Sequence, residues 1–148
     1  MPSARFIDGN VAFSRMPSLE EMDDVAETFK AIVVLVEGFE LPYSLDEWGK
    51  RGVEVFHSPV RDFSAPDLGQ LLGILRWIEA RVTEGKKVLI HCLGGCGRSG
   101  TVAVAWLMYS KDLPLGKALR RVRSLRPCAV ETVEQLQMLR ELDKILKK

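Results

Sequence analysis

Segments of strand character alternate along this chain with segments of helical character, and no other feature restricts its fold as much. Runs at 31–37, 53–60 and 87–92 are predicted to be strands, the first a continuous aliphatic run typical of a strand covered on both faces. Segment 17–30 opens with a capping box of Ser18 and Glu21, and 67–82 has leucines at helical spacing. This alternation predicts an α/β domain with a largely parallel central sheet.

The two ends of the chain complete this prediction. Residues 5–15 suggest two short strands around an Asp-Gly-Asn turn. Segment 99–110 is apolar nearly all round, as in a buried helix, and 114–126 and 133–148 are two amphipathic helices. A chain of 148 residues is long enough for one well-buried core. We therefore expect a single domain over 1–148.

The charge balance and the apolar runs limit the partners that the chain can have. Its 21 basic and 20 acidic side chains give a net charge of +1, which makes no general case for nucleic-acid or membrane binding. The first residues lack the apolar core of a secretion signal. Three cysteines, an odd number, fit a reducing compartment better than a disulfide framework. We expect a cytoplasmic monomer.

Residues 91–101, "HCLGGCGRSGT", lie between a predicted buried strand and a predicted buried helix. A loop that enters a helix at the end of a strand gathers unpaired backbone N–H groups, and the helix dipole adds to their attraction for an anion. The glycines permit that loop conformation, and the Arg98 guanidinium matches two phosphoryl oxygens. The same field stabilises a thiolate at Cys92, which is then a nucleophile facing a bound phosphate.

A structural turn, a zinc site and a nucleotide-binding loop each fit these residues less well. Arginine at a helix start opposes the dipole unless an anion is present, so a purely structural turn is disfavoured. The spacing of the candidate ligands does not match a zinc ribbon or finger; these are His91, Cys92, Cys96 and Cys128. A nucleotide-binding loop of the Walker type would need Gly-Lys-Ser or Gly-Lys-Thr, which is missing here.

The spacing His91-Cys92, five residues, Arg98-Ser99 resembles the H-C-x5-R-[ST] signature of cysteine-dependent protein tyrosine phosphatases. The small dual-specificity branch, in its compact archaeal and bacterial form, is most similar in length and element order. Rhodanese-like domains lack the Arg-Ser at this spacing, and low-molecular-weight tyrosine phosphatases carry their motif at the start of the chain. The resemblance implies a sheet of four or five strands flanked by helices, and neither metal nor other cofactor.

The resemblance also implies a role for each residue of the loop. Cys92 would be the nucleophile, Ser99 would donate a hydrogen bond to its sulfur, and His91 would shape the loop. The phosphate would be held by the Arg98 guanidinium and by the backbone of the whole loop, which is formed by Leu93, Gly94, Gly95, Cys96, Gly97 and Arg98. Cys96 has two interpretations: a small apolar loop side chain, which we favour, or a reversible disulfide partner of Cys92.

Two further residues are candidates outside the loop. Asp62 has no local structural duty and lies 30 residues before Cys92, a spacing that resembles the general-acid loop of the family. Asp67 is better explained as the N-cap of the helix after Pro66. Gln135 forms a capping box with Thr132, and in the family a glutamine at this distance positions the hydrolytic water. Both roles for Gln135 stay open.

The implied function is a phosphoprotein phosphatase that hydrolyses phosphotyrosine, and also phosphoserine or phosphothreonine, through a cysteinyl-phosphate. Phosphorylated proteins would be its partners. One alternative is a phosphatase of a phosphoinositide or an RNA 5′-phosphate, although the loop interior has no Lys or Arg to hold additional phosphates. Another is a phosphate-binding pseudoenzyme, which the intact pair of Cys92 and Arg98 argues against.

Overall fold

The computed structural model describes residues 3–147, which form an α/β domain around one sheet. Five strands are present in this part of the chain: β1 (Arg5–Phe6), β2 (Val11–Ser14), β3 (Ala31–Val34), β4 (Glu54–His57) and β5 (Val88–His91). Their order across the sheet is β1-β2-β5-β3-β4. Neighbouring strands from β2 to β4 are parallel, and only β1 pairs antiparallel, so the predicted fold class is confirmed.

Helices cover both faces of the sheet. Within residues 3–147 the α-helices are α1 (Met22–Thr28), α2 (Asp46–Gly49), α3 (Leu68–Thr83), α4 (Gly97–Lys111), α5 (Leu115–Leu125) and α6 (Val133–Lys147). Short 3₁₀ helices occupy Leu19–Glu21 and Gly38–Glu40. The predicted last helix ran to Lys148, which lies outside the described residues. None of the helices described is long and apolar enough to cross a bilayer.

The alternation of side chains along the central strands explains this two-sided packing. In β3, Ala31 and Val33 belong to the core on the side of α3 and α4, whereas Ile32 and Val34 belong to the core beneath α1 and α2. All residues of β3 and β5 are buried, as expected of strands covered on both faces. The aliphatic runs of the sequence therefore lie at the centre of the sheet.

Two helix starts differ from the sequence prediction. The predicted capping box of Ser18 and Glu21 is present, with the Glu21 carboxylate accepting a hydrogen bond from the Ser18 backbone N–H at 2.9 Å. The first turn is 3₁₀, however, and α1 begins only at Met22. The sequence also predicts a capping box of Ser44 and Glu47, opening a short helix that stops near Gly52. The Glu47 carboxylate instead pairs with Lys50 and Arg51. A long basic side chain one turn later competes for the same carboxylate oxygens.

The strand registers bring three strand ends to one edge of the sheet. Val34 pairs with both His57 and His91, so the carboxyl ends of β3, β4 and β5 lie side by side. The glycine-rich loop follows β5 at this edge, which is where α/β sheets bind ligands. The fold therefore places residues 92–98 where loops from three strands converge.

Candidate active site

The glycine-rich loop surrounds a space that its backbone N–H groups, which have no partner in the described chain, can face. No backbone N–H of residues 93–98 donates to an acceptor within the described part of the chain. Gly95 has φ +80°, and a β-carbon there would come within 2.5 Å of the Arg15 backbone nitrogen. Only glycine fits this position, for its backbone angle and for its size. The N-terminus of the 15-residue helix α4 adds its dipole to the anion site.

Cys92 lies on the floor of this loop. Its side chain is 2% exposed, and its Sγ lies 3.2 Å from the Oγ of Ser99, which is fully buried in the first turn of α4. A serine hydroxyl at this distance can donate a hydrogen bond to a thiolate and to a departing sulfur. The structure therefore brings together the two residues for which the sequence predicted this contact.

Arg98 is fixed by an acidic partner that the sequence did not reveal. Its two terminal nitrogens donate to the two carboxylate oxygens of Glu40, each at 2.9 Å, and Nη1 also donates to the Val60 carbonyl at 2.9 Å. Arg98 and Glu40 are 2% and 9% exposed. A bidentate pair of this kind fixes the plane of the guanidinium. Glu40 is 58 residues away in sequence, and no local pattern marks it.

This pairing also determines the charges of both groups. Hydrogen bonds from Arg98 hold the pKa of Glu40 below its ordinary value of 4.5, although burial opposes the charged form. Burial disfavours the charged guanidinium, but the hydrogen bonds to Glu40 and the negative charges of Cys92, Glu40 and Asp62 together outweigh this effect and raise the pKa of Arg98. The site therefore keeps a permanent, oriented cation beside Cys92.

His91 supports the loop as a neutral ring. Burial lowers its pKa to about 4, and the nearby Arg98 charge acts in the same direction. Nδ1 lies 3.1 Å from the Cys92 carbonyl oxygen, which can only accept, so the ring proton is on Nδ1. This contact agrees with the loop-shaping role expected of His91.

The two aspartates of the loop after β4 have different surroundings. Asp67 caps α3, since its carboxylate accepts a hydrogen bond from the Gln70 backbone N–H at 2.8 Å, as predicted. Asp62 is 48% exposed, and its Oδ1 lies 3.5 Å from Nη2 of Arg98. Asp62 also lines the cavity above Cys92, whereas Asp67 does not. Of the two carboxylates, only that of Asp62 is in reach of a phosphate ester bound there.

The cavity itself has a volume of about 210 Å³. Besides the loop residues and Asp62, it is lined by Phe63 and Glu131, neither of which was predicted from the sequence. Phe63 is 60% exposed with φ +65°, an uncommon backbone angle for an aromatic residue. Glu131 follows Val130, which also has positive φ, and no sequence pattern indicated it.

Gln135 joins three segments beside the cavity without lining it. Its Oε1 accepts hydrogen bonds from the Glu131 and Thr132 backbone N–H groups at 2.7 and 3.1 Å. Its backbone N–H donates to the Thr132 hydroxyl at 3.2 Å. The predicted capping box is therefore present. Its Nε2 donates to the Ser64 carbonyl at 3.1 Å and lies next to Gly97. Gln135 thus holds the start of α6 against the loop after β4, and its role in positioning the hydrolytic water stays a prediction.

The pairing of Cys96 differs from both interpretations of its sequence position. It is neither a free loop side chain nor a partner of Cys92: it forms a disulfide with Cys128, in the segment between α5 and α6. Cys92 is the free cysteine of the described chain. The odd number of cysteines favoured no disulfide, but only the fold brings two residues 32 positions apart to a Cα–Cα distance of 5.1 Å. The disulfide also removes two of the four candidate zinc ligands, and no metal-binding cluster is present in residues 3–147.

We expect Cys128→Ser to lower the free energy of unfolding by about 3–4 kcal/mol, because the disulfide closes a loop of 32 residues. Chemical denaturation with and without a reductant measures this effect. Reduction should lower the midpoint of the wild type to that of the variant and leave the variant unchanged. Equal midpoints for the oxidised wild type and the variant would contradict the prediction.

We expect Glu40→Gln to lower kcat/KM by about 10²-fold, because Arg98 loses the bidentate contact that orients it. Glu27→Gln, an exposed change on α1, is the charge-matched control and should have little effect. The depressed pKa of Glu40 means that its contribution to stability is complete above its unfolded-state pKa and is lost as pH falls through the folded one. The acid unfolding of Glu40→Gln should therefore depend less steeply on pH. An unchanged kcat/KM would show that Val60 alone orients Arg98.

A buried cysteine under free N–H groups, a fixed arginine and an exposed aspartate form the geometry that the sequence resemblance implied. Residues 20–145 match the family model described as "Dual specificity phosphatase, catalytic domain". The chain belongs to this family. It forms a phosphatase domain of the compact type, with the cysteine-based loop of the tyrosine phosphatase superfamily.

Solved and curated relatives agree with this assignment. The structure of Tk-PTP in the active form superposes with a TM-score of 0.96 at 68% identity and covers 97% of each chain. Cyclin-dependent kinase inhibitor 3 from Sus scrofa is 34% identical over 105 residues, which are 70% of this chain and 50% of that protein. Phosphatidylglycerophosphate phosphatase PTPMT2 from Arabidopsis thaliana is 26% identical over 115 residues, 77% of this chain and 50% of that protein. This chain thus spans about half the length of these two curated relatives.

Proposed function

We propose that this domain hydrolyses phosphotyrosine in proteins, and also phosphoserine and phosphothreonine, through a cysteinyl-phosphate intermediate. The observation that carries the proposal is the position of Cys92 Sγ, below a ring of unpaired backbone N–H groups and beside the fixed guanidinium of Arg98. A phosphoryl group held by those donors has its phosphorus facing the sulfur. This arrangement supports in-line attack.

The proposed reaction has two steps. First, the Cys92 thiolate forms a bond to phosphorus while the bond from phosphorus to the leaving oxygen breaks, and Asp62 gives its proton to that oxygen. Water then attacks the phosphorus, the S–P bond breaks, and the water proton passes to the Asp62 carboxylate. Ser99 stabilises the departing sulfur through the 3.2 Å contact. The side chains of the domain are restored, and no cofactor takes part.

The walls of the cavity support an aryl phosphate as the preferred substrate. Phe63 and Leu93 line it and are 60% and 46% exposed, so they offer apolar surface to a tyrosine ring. Arg98 is the cation among the described lining residues, and Asp62 and Glu131 contribute two carboxylates to the same lining. With one cation and two carboxylates in the lining, a single phosphate dianion fits better than a ligand with several phosphates, which the carboxylates would repel.

A phospholipid phosphate is the second candidate, and the name of the Arabidopsis relative favours it. The two classes are separated by assaying p-nitrophenyl phosphate, phosphotyrosine peptides and micellar phosphatidylglycerophosphate, all with chelator present. We expect the first two to be hydrolysed and the lipid to be a poor substrate. Efficient turnover of the lipid alone would overturn the protein-substrate proposal, and no turnover of any substrate would favour a phosphate-binding pseudoenzyme.

A further inference from the structure

The outward face of α5 carries three cations in a stripe. Lys117, Arg120 and Arg121 are exposed and lie within about one turn of each other, while Ala118 and Val122 on the opposite face are buried. α5 contains no acidic residue. We call Lys117, Arg120 and Arg121 the α5 basic stripe.

The stripe is unpaired, unlike other basic clusters of the surface. Within residues 3–147 its three side chains form no ion pair and no side-chain hydrogen bond. By contrast, Arg51, Arg81 and Lys86 are all paired with nearby carboxylates. Three like charges that repel one another on one helix face destabilise it slightly unless an anionic partner is present. The stripe is thus free to bind an external anionic group.

The carboxyl end of α5 lies beside the catalytic loop, and the stripe lies five to nine residues before Arg126. Arg126, the residue after α5, donates to the carbonyl oxygen of Gly94 in the catalytic loop at 3.3 Å. Two residues later, Cys128 is bonded to Cys96 of the same loop. From Arg126 the helix leads away over about 14 Å to Lys117. A polypeptide lying on the stripe would therefore extend from the residue bound in the cavity.

The charge of the rim changes sign from one segment to another. Asp62 and Glu131 line the cavity, and Glu134 accepts from the Ala65 backbone N–H beside them, so the loop after β4 and the start of α6 are acidic. The α5 side is basic. A rim that is acidic on one side and basic on the other favours one chain direction of a bound charged peptide over the opposite direction.

We propose that the α5 basic stripe binds an acidic segment of the substrate protein, about three to six residues from the phosphorylated residue, at about 3.3 Å per extended residue. The inference rests on the proposed protein-phosphatase function and adds to it a preference for acidic flanking sequence. The apolar residues of α5 face the protein core, and the stripe has no apolar side chain among its cations. A helix that lies on a membrane needs such an apolar face, so the observations favour a protein segment.

The test compares phosphotyrosine peptides of equal length that carry a run of Glu on the N-terminal side, a run of Glu on the C-terminal side, or Gln throughout. We expect one acidic peptide to have a kcat/KM about three- to tenfold above the Gln peptide, the size that a few exposed ion pairs give. Rising salt should reduce this preference. Arg120→Gln combined with Arg121→Gln should remove it, while p-nitrophenyl phosphate turnover stays at the wild-type rate.

Arg76→Gln combined with Lys87→Gln is the matched control, since it removes two exposed cations, one from α3 and one from the position just before β5. This variant should keep the preference. Hydrolysis of all peptides without preference, or a preference that survives in the α5 variant, overturns the stripe inference but leaves the proposed function standing. Failure to hydrolyse any of the phosphotyrosine peptides overturns the proposed function itself. Binding to anionic phosphatidylserine vesicles that only the α5 variant loses, with peptide kinetics unchanged, would reassign the stripe to a membrane.

Discussion

Cys92→Ser should lower the hydrolysis of p-nitrophenyl phosphate by about 10⁴-fold or more while phosphate binding stays within a fewfold of the wild type. The hydroxyl that replaces the thiol is a far weaker nucleophile near neutral pH, and loss of a covalent nucleophile has effects of this size. The anion site remains, because the unpaired N–H groups and the pair of Arg98 with Glu40 do not depend on the sulfur. Steady-state kinetics and titration with a phosphotyrosine peptide measure the two quantities.

Arg98→Met provides the complementary result. It should abolish both turnover and binding, since the guanidinium is the cation of the cavity lining. Trapping of a phosphorylated wild-type protein by acid quench, and its absence in Cys92→Ser, would identify the covalent intermediate. Substantial residual hydrolysis by Cys92→Ser would rule out Cys92 as the nucleophile.

Asp62→Asn should lower kcat by about 10²–10⁴-fold for substrates with poor leaving groups and much less for nitrophenolates. An alkyl or phenyl oxygen departs slowly unless it is protonated, whereas nitrophenolate needs little help. The basic limb of the pH–rate profile should also disappear, because no protonated carboxyl is then required. A series of aryl phosphates with leaving groups of increasing basicity measures the effect.

Two other carboxylates serve as comparisons for Asp62. Asp67→Asn should leave the leaving-group dependence unchanged and lower stability little, because Asn is also a good N-cap for α3. Glu131→Gln tests the second carboxylate of the cavity. A steeper leaving-group dependence in Glu131→Gln or Asp67→Asn, with none in Asp62→Asn, would show that the general acid was wrongly assigned.

Most of the fold could be predicted from local patterns. The strand runs, the Asp67 cap and the apolar segment that became α4 each carry a periodicity or a capping residue that acts over a few positions. The catalytic loop was recognisable for the same reason, since Cys92, Arg98 and Ser99 are close in sequence. The predicted helix starts were less accurate where a distant or competing side chain took the capping carboxylate, as at Glu47.

The remaining features of the site could not be predicted because they depend on contacts between distant segments. Glu40 meets Arg98 across 58 residues, and Cys128 meets Cys96 across 32. In both cases the partner residue has no local pattern of its own, and its position follows from how the sheet and the helices pack. A free cysteine and a paired cysteine look alike in a sequence, which is why the expectation that Cys96 was unpaired could not be corrected from the sequence. It was wrong, because Cys96 pairs with Cys128.

The sequence alone determined the α/β class and located the proposed anion-binding loop with its proposed nucleophile, because these depend on short-range periodicity and on residues that are neighbours in the chain. The tertiary structure decided which carboxylates surround the nucleophile and which cysteines pair. It also decided that the carboxyl end of α5, the helix of the unpaired cations, lies beside the catalytic loop. These properties depend on distances between segments that the chain brings together only when its apolar faces pack against one sheet.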